Sequence, residues 1–144
     1  MAKRTAKTTW KGTLIDGRGE LTLESSGLLS GTQVTWASRT EEPRGTSPEE
    51  LLAGAQAACY AMALSNTLAQ QGTPPDSLEV SATCAFERSG EGFAVTTMDI
   101  TVRGAVPGVD EAVFREAAEK AKEGCPISNA IRGNVEIGLT AKLA

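Results

Sequence analysis

At 144 residues the chain is one domain's worth, long enough to bury about two thirds of its unfolded surface without staples. It has three cysteines and no histidine, so the usual general base and a frequent metal ligand are missing, and no two cysteines sit at the close spacing of a zinc site. With 18 acidic residues against 14 basic, a net charge of -4, and no basic stripe with interleaved aromatics, the composition argues against nucleic acid as a partner.

The start, MAKRTAKTTWKG, has basic residues but no apolar core of a signal peptide. Sparse, odd-numbered cysteine does not fit a secreted disulfide scaffold, and a reducing, cytoplasmic setting is the expectation. Thr5 to Leu14, Gly19 to Ser25 and Gln33 to Ser38 read as β-rich runs separated by DGRG and SSGLLSG. Gly17-Arg18-Gly19 lies between two of these runs with no helix behind it, so it reads as a hairpin turn rather than a phosphate loop. After TEEPRGT, Ser47 is suited to an N-cap, Pro48 to the first helical position and Glu50 to the partner position of a capping box. The helix that starts there runs to a stop at Gly72, ahead of Thr-Pro-Pro, and its middle is apolar nearly all round. Its longest apolar stretch, Leu51 to Leu64, is short of the ~20 residues that span a bilayer, so it reads as a core helix and not a membrane segment.

Leu78, Val80, Ala82, Cys84 and Phe86 alternate with more polar neighbours as a half-buried strand requires. The turn SGEG leads into a second strand from Phe93 to Arg103, making a hairpin. Asp110 then caps a helix with Phe114, Ala117, Ala118 and Ala121 on one face, and Gly124 ends it. Cys125-Pro126 opens a short helix to about Arg132, and Val135, Ile137, Leu139, Ala141 and Leu143 alternate in a closing strand. The order βββαββααβ, without repeat or linker, gives a single α+β domain over residues 1–144.

Without histidine, nucleophilic chemistry falls to thiols. Cys59, inside AGAQAACYAMAL, is either a small buried hydrophobe or a reactive thiol. Cys125, at a helix start, is either an ordinary helix-start residue or a thiolate favoured by the positive end of the helix dipole. Cys84, on the inward face of an alternating strand, reads as core filling.

The segments GTSPEELLAGAQAACYAMALS and AVPGVDEAVFREAAEKAKEGCPISNAI closely resemble the OsmC/Ohr family of thiol-dependent hydroperoxide peroxidases, the OsmC branch in particular. The resemblance runs from the WKG strand to the last strand. It implies an intertwined α+β homodimer in which two six-stranded sheets enclose the long central helices and active sites lie at the dimer interface. By position it makes Cys59 the peroxide-attacking cysteine, Cys125 the resolving cysteine, Arg39 the activating arginine and Glu49 the acidic partner of that arginine. The organic-hydroperoxide-resistance branch places its arginine in an early β segment, where this chain has Arg18, whereas the OsmC pattern uses the later Arg39. Gln56 departs from the pattern, since many relatives carry histidine three residues before the cysteine.

The implied reaction reduces organic hydroperoxides, and hydrogen peroxide less well, to alcohols through a Cys59 sulfenic acid and a Cys59–Cys125 disulfide. It needs no metal or bound organic cofactor, and an external dithiol, such as a lipoylated protein, as reductant. A non-catalytic carrier of small apolar molecules, using the dimer-interface pocket, is the alternative reading. Glu49 and Cys59 are ten residues apart on one predicted helix, hence ~15 Å along its axis and about 80° around it, so each site is expected to draw on two chains.

Overall fold

The turn-punctuated first third folds into three short strands, β1 (Lys7–Lys11), β2 (Arg18–Thr22) and β3 (Thr32–Val34), paired antiparallel in the order β1-β2-β3. They belong to a computed structural model that describes all of residues 1–144 and divides into two units, Met1–Leu51 and Leu52–Ala144. In the first unit Gly17 sits inside the β1–β2 turn, where an added Cβ would lie 2.2 Å from the Thr13 carbonyl oxygen; only glycine fits this hairpin. Every residue of β1 is exposed, as are Leu14, Ile15 and Leu28.

The third strand ends at Val34, short of the Ser38 expected from β-propensity, and Ala37–Thr40 forms a one-turn helix, α1, that adds one element to the expected order. The cause is local. Ser38 N–H donates to Thr35 Oγ1 and Thr35 N–H to Ser38 Oγ, both at 3.1 Å, so the two hydroxyl side chains compete successfully with a strand ladder. The following loop folds back onto β3, with Thr46 N–H donating to the Gln33 carbonyl and the Ser38 hydroxyl packed against the Thr46 carbonyl.

The long helix α2 (Pro48–Gln70) begins with the Glu50 N–H donating to Ser47 Oγ at 3.1 Å and Pro48 at the first helical position. The reciprocal half of the capping box is not made, because the Glu50 carboxylate instead accepts the Thr46 hydroxyl at 2.6 Å. At the other end Gly72, at φ +79°, allows Thr73 N–H to reach the Leu68 carbonyl and Gly72 N–H the Ala69 carbonyl, a Schellman stop.

In the second unit, β4 (Ser77–Ser89) and β5 (Gly92–Ala105) form the expected hairpin, with an irregularity at Ala85/Phe86. The chain then crosses over through α3 (Glu111–Gly124) and α4 (Pro126–Ile131) to β6 (Glu136–Leu143), which lies parallel to β5. Asp110 caps α3 by accepting the Val113 N–H at 2.9 Å. β5 is the central strand, and its Met98, Ile100 and Val102 are sealed against Tyr60, Leu64 and Leu68 of α2 and Phe114, Ala117, Ala118 and Ala121 of α3. Tyr60 donates its hydroxyl to the Ala118 carbonyl at 2.9 Å, which satisfies the one polar atom of that ring in the core. The opposite face of α2 is also apolar but exposed: Ala55, Ala58 and Met62, the last at 68%. No helix is long and apolar enough to cross a membrane.

Candidate active site

Cys59 stands in the middle of α2, and Cys125 is the single extended residue between α3 and α4, placed there because Gly124 closes one helix and Pro126 starts the next. Both thiols are free and interact with one another. Their surroundings differ. Cys125 is wholly buried, while Cys59 is partly exposed and opens onto a depression of about 430 Å³ lined by Met62, Ala63, Asn66, Ala121 and Pro126 among others.

One helical turn before Cys59, Gln56 is fully buried and bridges two elements: its Nε2 donates to Ser128 Oγ of α4 at 2.9 Å and to Cys125 Sγ at 3.6 Å. Its Oε1 is buried with no hydrogen-bond partner. Ser128 was not singled out by the sequence. The available signal was its place three residues after Cys125, the position from which a side chain in a first helical turn reaches back to the cap.

The electrostatics of the two thiols diverge. Burial pushes the Cys59 thiol up; the Ile127 N–H pulls the other way, and the neighbouring Cys125 adds to the rise. For Cys125 burial also pushes up, but it is outweighed by the Ser128 N–H, the Ser128 hydroxyl, Cys59 and the Ile127 N–H, so its thiol lies below the ordinary value of 9.0. The Cys125 side chain makes no close capping hydrogen bond to α4; the N–H groups act on the sulfur as oriented dipoles. Within this unit Cys125 is therefore the more acidic thiol, as a helix-start position implies.

The other expected residues meet in the first unit. Arg39, carried by α1, directs Nε at Glu49 Oε1 and Oε2, 3.1 and 3.3 Å, and Nη2 at Oε1, 2.6 Å. Glu49, in the first turn of α2, is nearly buried, and the Arg39 side chain is 27% exposed. The guanidinium also lies 5.6 Å from the ring centroid of Trp36, three residues earlier, a cation–π contact foreshadowed only by the i, i+3 spacing. Arg18 is exposed on β2. Cys84 lies on β4 opposite Met98 and packs against the core. No group of three or more His, Cys, Asp or Glu side chains is arranged to hold a metal.

A family model described as OsmC-like protein matches residues 40–140. The chain is 35% identical over 133 residues to the peroxiredoxin OsmC of Escherichia coli, covering 92% of each chain. It is 32% identical over 143 residues to the organic hydroperoxide resistance protein OhrB of Bacillus subtilis, covering 99% of this chain and 100% of that one. The crystal structure of that OhrB superposes with a TM-score of 0.74 at 29% identity, covering 96% of this chain and 98% of the other.

Proposed function

The chain belongs to the OsmC-like family, and on that premise we propose that it is a cysteine-based peroxidase that reduces organic hydroperoxides to alcohols. The observation that carries this reading is the thiol pair: a partly exposed Cys59 on an open depression, directly beside a buried free Cys125. In the proposed cycle the Cys59 thiolate attacks one peroxide oxygen, and the O–O electron pair departs with the other oxygen, which takes a proton and leaves as the alcohol. The Cys59 sulfenic acid is then attacked by the Cys125 thiolate; hydroxide departs as water and a disulfide forms. An external dithiol, a lipoylated protein being one such donor, returns both thiols.

Cys59 is held above the ordinary thiol range by burial, so it needs a cation to act as a nucleophile at neutral pH. Arg39, held by Glu49, is the proposed source, favouring the thiolate and donating to a peroxide oxygen. The pair comes, in this proposal, from a second copy of the chain. Two copies of a β1-β2-β3 and a β4-β5-β6 sheet supply the strands of two six-stranded sheets, and the exposed apolar face of α2 is the surface such a dimer would cover.

The test is to add one equivalent of an organic hydroperoxide to the reduced protein and to map the product by peptide mass. A Cys59–Cys125 disulfide is the expected product, and unchanged thiols would overturn the reading in favour of a carrier. Bulky organic hydroperoxides are expected to be used with higher kcat/KM than hydrogen peroxide, because an apolar wall such as Met62 and Ala63 favours a substrate's hydrocarbon part by ~0.8 kcal/mol per buried methylene.

A further inference from the structure

We infer that Gln56 and Ser128 hold the sulfur of Cys125 as the departing thiolate when the disulfide is reduced, so that the reductant enters at Cys59 and Cys125 leaves. The inference rests on the peroxidase reading for its place in a cycle. Its grounds are geometric. Cys125 is wholly buried and Cys59 is partly exposed at a depression, so an external thiol reaches the Cys59 sulfur first. Gln56 Nε2 donates to Cys125 Sγ at 3.6 Å and to Ser128 Oγ at 2.9 Å, so the Ser128 hydroxyl accepts from the amide and its own proton is not spent on Gln56, while the hydroxyl favours the Cys125 thiolate.

The unpartnered Oε1 of Gln56 points the same way. A buried carbonyl oxygen without a partner is destabilising, and an apolar side chain of similar size would avoid that loss. The opposite orientation would set Oε1 against the sulfur and give up the two bonds the amide donates, to Cys125 Sγ and Ser128 Oγ. The donor end is the one directed at the sulfur. A thiol that is stabilised as thiolate leaves faster in disulfide exchange. Titratable groups bearing on Cys125 are Cys59 and Tyr60 of α2, with Glu119 of α3 acting on Tyr60, while α4 offers the Ser128 hydroxyl and the N–H groups of Ile127 and Ser128. The amide itself does not titrate, so its donor persists across the working pH range.

The step is balanced as follows. A thiolate of an external dithiol forms a bond to Cys59 Sγ, the Cys59–Cys125 bond breaks, and its electron pair departs with Cys125. The second thiol of the donor then attacks its own sulfur in the mixed disulfide and releases Cys59 as thiolate; the donor is oxidised to a disulfide and the protein gains two electrons.

The experiment closes the disulfide with diamide, which involves no peroxide, in the wild type, Gln56→Met and Ser128→Ala. Reduction by dithiothreitol is followed under pseudo-first-order conditions, a monothiol is used to trap the mixed disulfide for mass mapping, and Cys125 is titrated by thiolate absorbance in a Cys59→Ser background with and without each substitution. Expected are a trapped adduct on Cys59, reduction about tenfold slower in either variant, the scale of one hydrogen bond to a charged group, and a Cys125 titration displaced to higher pH. An adduct on Cys125, a disulfide that diamide does not close, unchanged reduction rates, or slower reduction with an unmoved titration would each overturn the inference. Failure of the peroxidase reading has its own signature: peroxide leaves the wild-type thiols intact while diamide still closes the disulfide.

Discussion

Replacing Glu49 by Gln removes the charge that anchors Arg39 while keeping the side chain's shape. Three contacts hold the pair, from 2.6 to 3.3 Å, with the carboxylate side chain 9% exposed and the arginine 27%. Hydrogen bonds to charged groups contribute ~1.5–3 kcal/mol, and solvent at the arginine screens part of this, leaving ~1–2 kcal/mol of anchoring. At ~1.4 kcal/mol per decade, Glu49→Gln should therefore slow the oxidation of Cys59 about tenfold. On the proposed mechanism, Arg39→Met removes both the cation and a donor to the peroxide. The thiolate population falls, the remaining nucleophile is partly compensated by its higher basicity, and the net loss is ~100- to 1000-fold. Because the carboxylate acts through the guanidinium, the double variant should be no slower than Arg39→Met alone. The assay is the rate constant for reaction of reduced protein with an organic hydroperoxide, quenched with an alkylating reagent and counted by mass. Losses that multiply would show that Glu49 acts without Arg39, and an undiminished rate in Glu49→Gln would refute the anchoring role.

Mixing inactive Cys59→Ser and slowed Glu49→Ala subunits under exchange should raise activity to one fully active site per heterodimer, and no rise in heterodimers verified by native mass would place the two residues' function within one chain. Cys84→Ala should keep full turnover, because Cys84 packs against the core opposite Met98; loss of turnover in a folded variant would contradict this. The Cys125 thiol should add stability to the reduced protein as pH rises toward 9, opposed close to that pH by Cys59, whose raised thiol favours the unfolded chain once the unfolded thiol ionises. Cys125, whose thiol lies below its ordinary 9.0, deprotonates first in the fold, so its contribution is present above the unfolded value and is lost as pH falls through the folded one. Urea unfolding from pH 6 to 9 checks this, and a Cys125→Ser variant with the same slope would show that another group is responsible.

The sequence by itself determined the ends of α2, because Ser47, Pro48 and Gly72 act through backbone hydrogen bonds to residues within a few positions. Period-two alternation likewise determined β4, β5 and β6, and residue-by-residue resemblance singles out Cys59, Cys125, Arg39 and Glu49. Tertiary structure decided what local pattern leaves open. α2 is apolar nearly all round, so periodicity cannot say which side is buried; packing of Tyr60, Leu64 and Leu68 against β5 and α3 does. Thr35 and Ser38 turned a β-rich run into α1, and that turn aims Arg39 at Glu49. Gln56, Cys125 and Ser128 form their buried bridge only because the crossover through α3 carries α4 back to α2. Hydrogen-bond partners some seventy residues apart are a property of that path through space, and no short-range signal encodes it.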